Sequence, residues 1–254
     1  MLIGDFPSLR KNFYFLDVAM YDAASIASLR RTKYDMEHPQ TPASLAEQVA
    51  NGLRQQLLTG DLRPGQHLSE VALATQFNVS RNTLREAFRL LSQLGLLIHE
   101  PNRGVFVNTP TRDSVVDIYR VRRVLECQAL HQASRQHSAL EQMEAAVIQA
   151  QQHLARKEWQ AVGTVNMQFH RAIVTLNDSP RLDSWFADLL VELRLVFGML
   201  PNLEQLHVPY VAKNMDILQA LRAGNNAAAV DKMLQYLQSS EDAVLQAYDS
   251  HVAP

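Results

Sequence analysis

The sequence predicts a mainly α protein in two parts, three helices closed by a β-hairpin and then an all-helical bundle. Three observations carry this reading. Over residues 41–110, helix caps and breakers recur at short intervals and lead into two short β-type runs. Beyond Thr109 the apolar residues keep helical spacing, with no strand alternation. At 254 residues, 47 % hydrophobic and 20 % charged, the chain is long and apolar enough to bury a core in each part.

The elements follow in order. Residues 1–40 form an extension whose apolar segment Phe13–Met20 is broken by Asp17 and lacks the flanks of a signal peptide. Either Met36 or Met20 is the natural start, or the extension is an arm that packs on a partner subunit. Thr41-Pro42 is expected to open the first helix, with Leu45, Val49, Leu53 and Leu57 on one face and Gly60 as its stop. Arg63-Pro-Gly65 makes a turn. Ser69 caps a short helix carrying Val71, Leu73, Ala74 and Phe77, Asn78 turns the chain, and Ser80 caps a third helix with Leu84, Phe88, Leu91 and Leu94 on one face. Residues 96–99 and 105–107, around Glu100-Pro-Asn-Arg-Gly104, read as a hairpin. In the second part, residues 111–254, Ile118, Val121 and Leu125 share a helix face. Leu182, Trp185, Leu189, Leu193, Val196 and Leu200 form a longer stripe behind Ser179-Pro180, with Trp185 and Phe197 expected in the core. Val211 to Leu221 and Val230 to Val244 give two more helices, and residues 138–157 and 158–177 also read as helical.

Composition excludes several functions. No apolar run is long enough to span a membrane. The single Cys127 excludes a disulfide scaffold and a cysteine-based zinc site, and it fits a reducing cytosol, so a cytoplasmic protein is expected. Glycine-rich nucleotide-binding patterns are absent. Cys127 and His131, four apart, mimic a nucleophile–base pair without an orienting acid, and no enzymatic activity is expected. The net charge of −2 at first argues against a nucleic-acid partner. The bulk count conceals a local face, because residues 80–108 hold Arg81, Arg85, Arg89 and Arg103 against Glu86 and Glu100.

Three helices plus a hairpin make a winged helix-turn-helix, whose third helix reads the major groove of duplex DNA. Ser80, Arg81, Asn82 and Thr83 stand on its first turn, where base edges are met, and Arg85 lies four residues beyond Arg81 on the same side. A guanidinium grips guanine O6 and N7 with two bonds, and the helix N-terminus with the Ser80 hydroxyl suits a phosphate. Arg103-Gly104 stands at the wing tip, where a glycine lets backbone approach the minor groove. Taken alone, Arg81 and Arg85 would read as a solvated face pairing with Glu86.

The spacing of the whole unit decides between these. Leu45-Ala-Glu-Gln-Val49, Leu62-Arg-Pro-Gly65, Leu68-Ser-Glu70, Val79-Ser-Arg-Asn-Thr-Leu-Arg-Glu-Ala87, Leu94-Gly-Leu96 and Pro101-Asn-Arg-Gly-Val-Phe-Val107 resemble the winged-helix domain of the GntR family of bacterial transcription regulators. Val71 departs from it, standing where some members carry a further DNA-contacting arginine. Ile118-Tyr-Arg-Val-Arg-Arg-Val-Leu-Glu126, Phe169-His-Arg-Ala-Ile173 and Leu218-Gln-Ala-Leu-Arg-Ala-Gly224 resemble the FadR-type, or FCD, effector domain of that family. The resemblance implies a homodimer on a pseudo-palindromic operator, with repression relieved by a small metabolite. It also implies, in many members, a divalent metal held by one Asp and three His. This chain has Asn166, His170, Asn214 and Tyr236 at those positions, so only His170 is retained and no metal or other cofactor is expected. These four residues are either a self-satisfied polar network or a metal-free effector pocket. Arg122 or Arg123 would supply the charge for an organic acid, with Arg194 a weaker candidate. The helix from about Thr111 to Ser134 leads from wing to bundle and is expected to transmit the signal. Two rivals remain: an effector-independent architectural DNA-binding protein, and an enzyme with a DNA-binding head, which the length after the wing disfavours.

Overall fold

A computed structural model describes residues 43–251. The extension 1–40 and the expected helix start at Thr41-Pro42 lie outside the described residues. Helix α1, Leu45–Thr59, begins instead under Ser44, whose hydroxyl accepts from the Glu47 N–H while the Glu47 carboxylate accepts from the Ser44 N–H at 2.7 Å. Val49, Leu53 and Leu57 point inward as expected, whereas Leu45, in the first turn, is exposed. Gly60 closes α1 in the left-handed conformation (φ 81°), its N–H bonding back to Gln56 and Leu57 carbonyls.

Helices α2 (Glu70–Gln76) and α3 (Arg81–Gln93) follow, each capped by the expected serine, with Asn78 at φ 51° making the turn between them. The hairpin forms from β2 (Leu97–Glu100) and β3 (Gly104–Val107), but it is part of a three-stranded antiparallel sheet. The additional strand β1, His67–Leu68, pairs with the outer edge of β3, placing His67 opposite Phe106 and Leu68 opposite Val105. Two residues are too few for alternation to reveal a strand in the sequence.

The bundle contains α4 (Arg112–His131), α5 (Ala139–Ala155), α6 (Trp159–Thr175), α7 (Pro180–Gly198), α8 (Leu203–Arg222) and α9 (Asn226–His251). Its core is built from residues such as Tyr119, Met143, Phe169, Phe186, Ile217 and Leu237. Two expected faces are displaced. The buried side of α4 runs through Val115, Ile118, Tyr119, Arg122, Glu126 and Leu130, leaving Val121 and Leu125 half-buried. On α7 the inner residue is Phe186, and Trp185, expected in the core, is 65 % exposed because its neighbour takes the inward position. Phe197 is buried as expected.

Helix α7 belongs to two cores. Leu190, Leu193, Val196 and Phe197 pack in the bundle, while Val191 and Leu195 complete the apolar core of the winged helix with Leu53, Leu57 and Leu91. Arg54 of α1 and Asp188 of α7 form an ion pair across the same contact. The apolar contact between winged helix and bundle is therefore made through α7, with Gln160 of α6 adding a hydrogen bond to the Thr59 carbonyl, besides the covalent path through α4.

Candidate functional site

The first site is the exposed face of α3 and the wing. Ser80 caps α3, its hydroxyl accepting from the Thr83 N–H at 3.1 Å and lying 2.9 Å from the Thr83 hydroxyl. This fixes the first turn and leaves Arg81 and Asn82 projecting into solvent. Arg85 is held differently. Its Nε lies 3.1 and 3.0 Å from the two carboxylate oxygens of Glu70, and its Nη2 is 2.9 Å from one of them. The Glu70 carboxylate raises the Arg85 pKa above its ordinary value by hydrogen bonding and charge. Arg89 pairs in the same way with Glu86. At the wing tip Arg103 pairs with Glu100 and stands over the Phe106 ring, 5.4 Å from its centroid. Gly104 adopts φ 104°, and an added Cβ would lie 2.8 Å from the His67 ring, so a side chain is excluded twice. His99 is exposed on β2 beside this face, and Glu70, Arg85, Arg89 and His99 line one shallow groove. Of the residues expected from sequence, Ser80, Arg81, Asn82, Thr83 and Arg85 share α3 while Arg103 and Gly104 stand on the wing, and Arg85 and Arg103 each carry an acidic neighbour.

The second site lies inside the bundle. His170 is buried, with Nδ1 2.5 Å from a Glu126 oxygen and Nε2 2.8 Å from the Tyr236 hydroxyl. Asn166 donates to the Tyr236 hydroxyl at 3.0 Å, and Asn214 donates to the Asn166 carbonyl at 2.6 Å. Arg122 donates from Nε to the other Glu126 oxygen at 2.8 Å. Burial pushes the Glu126 carboxyl up, but Arg122 and His170 outweigh it and hold the pKa below the usual range. Burial, helped by the Arg122 charge, lowers the His170 pKa, so the ring is neutral at pH 7. With Glu126 ionised, Nδ1–H donates to the carboxylate and Nε2 accepts from the Tyr236 hydroxyl. Burial keeps that phenol protonated, its pKa raised far above the ordinary tyrosine range. Two polar atoms in this network have no hydrogen-bond partner, Arg122 Nη2 and Asn214 Oδ1. Arg123 turns toward α9 and pairs with Glu241, so of the two adjacent arginines Arg122 is the inward one. Cys127 has its thiol pKa pushed up to about 11, mainly by burial, and so holds no thiolate at pH 7, while His131 is exposed.

Residues 45–107 match the family of bacterial regulatory proteins called gntR, and residues 117–239 match the FCD domain. A solved structure from Rhodococcus sp. RHA1, described as a GntR transcriptional regulator, is 38 % identical and covers 81 % of this chain and 100 % of its own, with a TM-score of 0.77. The chain belongs to the gntR family. Another solved relative, McbR/YncC of E. coli, is 25 % identical over 81 % of this chain and 99 % of its own, with a TM-score of 0.70. The HTH-type transcriptional repressor RspR of Escherichia coli K12 is 27 % identical over 206 residues, which is 79 % of this chain and 89 % of that protein. The protein is therefore a gntR transcriptional regulator with an FCD domain, and no helix among the described residues is long and apolar enough to cross a membrane.

Within the FCD domain the donor set does not suit a divalent cation. Both nitrogens of His170 are engaged, Tyr236 is a phenol, and Asn166 and Asn214 are neutral amides that bind one another. Among the described residues no group of three His, Cys, Asp or Glu side chains is placed to hold a metal. Sequence reasoning missed Glu126 as a member of the network. Its signal was the four-residue spacing from Arg122, which puts the two on one turn-related face of α4.

Proposed function

We propose that this gntR regulator binds a pseudo-palindromic operator as a homodimer, represses from it, and is released by a small organic acid taken up in the FCD domain without a metal. The observation that carries the DNA half is the capped start of α3, which leaves Arg81, Asn82 and Arg85 exposed on one helix, while Arg103 is exposed on the wing. Arg81 and Arg85 are assigned to base edges or adjacent phosphates, Asn82 and Thr83 to hydrogen bonds on the same strand, and Ser80 with the helix N-terminus to a phosphate. Gly104 allows the wing backbone, with Arg103, to approach the minor groove. The dimer follows from the operator reading, since a two-fold pair of α3 helices matches two half-sites of a pseudo-palindrome.

The effector half rests on the unpartnered atoms of the buried network. Arg122 Nη2 offers a charged donor and Asn214 Oδ1 an acceptor. A carboxylate bearing a hydroxyl or amino group would satisfy both, with His170, Asn166 and Tyr236 ordering the surroundings. Selecting bound sequences from a pool of random duplexes with the intact protein tests the DNA half. An inverted repeat with half-sites about one helical turn apart is expected, and recovery of no enriched sequence refutes it. Adding a panel of organic acids to that complex, with and without a chelator, tests the effector half. Release by one acid regardless of chelator is expected. Release by none supports an architectural DNA-binding protein instead.

A further inference from the structure

A second buried arginine stands outside the network described above. Arg194 of α7 is only 5 % exposed, and no carboxylate pairs with it among the described residues. Its Nη2 donates to the Thr59 carbonyl at the end of α1, at 3.3 Å, and Gln160 of α6 donates to the same oxygen. Its Nη1 has no partner. The C-terminus of a helix carries about half a negative charge, so this capping contact offsets the guanidinium only in part. Burial depresses the Arg194 pKa without any compensating acid, and the charge is still present at pH 7 because an arginine does not deprotonate there. Its charge also acts on His207 of α8, likewise buried, whose pKa falls to about 4 through burial and then through the Arg194 charge. Neither ring nitrogen of His207 has a hydrogen-bond partner of good geometry. A buried cation with no acidic partner is an uncompensated arrangement.

Arg194 also lines a cavity of about 200 Å³. Leu57, Gly60, Arg63 and Pro64 close it from the winged helix, and Gln160, Phe197, Gly198 and Leu203 from the bundle. Gly60 matters here, since a Cβ at this position would lie 2.8 Å from the Gln160 amide and 3.3 Å from Arg194 Nη2. The volume is below the roughly 300–1,000 Å³ of sites for drug-sized ligands, and so fits a small molecule.

We infer that this seam is a binding site for a small oxyanion, a carboxylate or phosphate held by Arg194 between the DNA-binding and effector domains. It is separate from the Arg122 network and does not depend on the effector reading given above. An occupant is gripped by α7 and covered by the turn after α1, so it fastens one domain to the other.

The test uses the full chain, with thermal unfolding followed while chloride is replaced by inorganic phosphate or by succinate at constant ionic strength. A saturable rise of the unfolding midpoint is expected with one or both anions. A response to phosphate alone assigns a phosphate ligand, and a response to succinate alone assigns a carboxylate. Arg194→Gln should abolish the rise. Leu203→Phe, which fills the cavity from another of its lining residues, should weaken it and serves if Arg194→Gln does not fold. Asn214→Ala, in the bundle network, should leave it intact. No rise with either anion overturns the inference. So does an equal rise in Arg194→Gln, or a rise lost in Asn214→Ala instead.

Discussion

Two arginine–glutamate pairs in this protein have the same chemistry and opposite uses. Arg85 holds Glu70 with its side chain 62 % exposed, whereas Arg122 holds Glu126 with both partners sealed in the bundle. In water the first pair is worth little and is exchanged at little cost, because solvent and salt compete with it. On the proposed reading, a DNA phosphate or guanine edge takes Arg85 from Glu70. The second pair has no solvent to fall back on, and removing one partner leaves a charge stranded. The same two residue types thus make a replaceable contact on the exposed face of α3 and a permanent one at the centre of the FCD domain.

The largest expected effect breaks the permanent pair. Glu126→Ala strands Arg122 and removes the acceptor of His170, and should cost about 3–5 kcal/mol of stability, read from urea unfolding. Replacing both charges together, Arg122→Met with Glu126→Leu, should recover most of that loss. If the double variant is as unstable as the single, the cost is not that of a stranded charge.

Next comes the pH dependence of buried histidine. The folded protein keeps His207 neutral down to about pH 4, while the unfolded chain protonates it near pH 6.5. The unfolded state therefore binds more protons in this window, and stability falls as pH drops from 6.5 to 4, then levels. His207 accounts for about 3 kcal/mol of that fall, and the depressed His170 adds in the same direction. His207→Leu, which breaks no hydrogen bond, should flatten the dependence in unfolding measured from pH 7 to pH 4. An unchanged slope removes His207 as its source.

The replaceable pair should show itself in DNA binding instead. Arg85→Ala should weaken the selected operator about tenfold to a hundredfold, measured by fluorescence anisotropy, with no appreciable change in the unfolding midpoint. The smallest effect is expected for Glu70→Gln. It frees Arg85 and should strengthen binding to an unrelated duplex by a few-fold, more so at low salt. Weaker binding in Glu70→Gln would mean that the carboxylate orients Arg85 rather than competing for it.

The same contrast explains what could be read from the sequence. Around α2 and α3 the signals are local: Ser69 and Ser80 cap, Asn78 turns, Gly104 admits the wing, and each acts within a few residues. Those elements stand where the sequence places them. The buried network depends on contacts among α4, α6, α8 and α9. Its polar members Asn166, His170, Asn214 and Tyr236 could be named from the resemblance, but the choice between Arg122 and Arg123 needed the phase of α4. That phase was misread because the buried face itself carries Arg122 and Glu126, so the apolar residues alone pointed one step around the helix. Trp185 was misplaced on α7 for a related reason. That helix is apolar on several sides because it serves two cores, and periodicity cannot say which of its stripes meets solvent.

The double membership of α7 also limits how this protein can be taken apart. Cutting in the connection before Arg112 would deliver a DNA-binding fragment whose core has lost Val191 and Leu195, its cover from the far side of the chain. Grafting residues 43–110 onto an unrelated sensor would leave that apolar opening unfilled unless the new partner supplies a matching helix. The reading head is thus not an interchangeable cartridge. Any attempt to rewire it must carry a piece of the FCD bundle along.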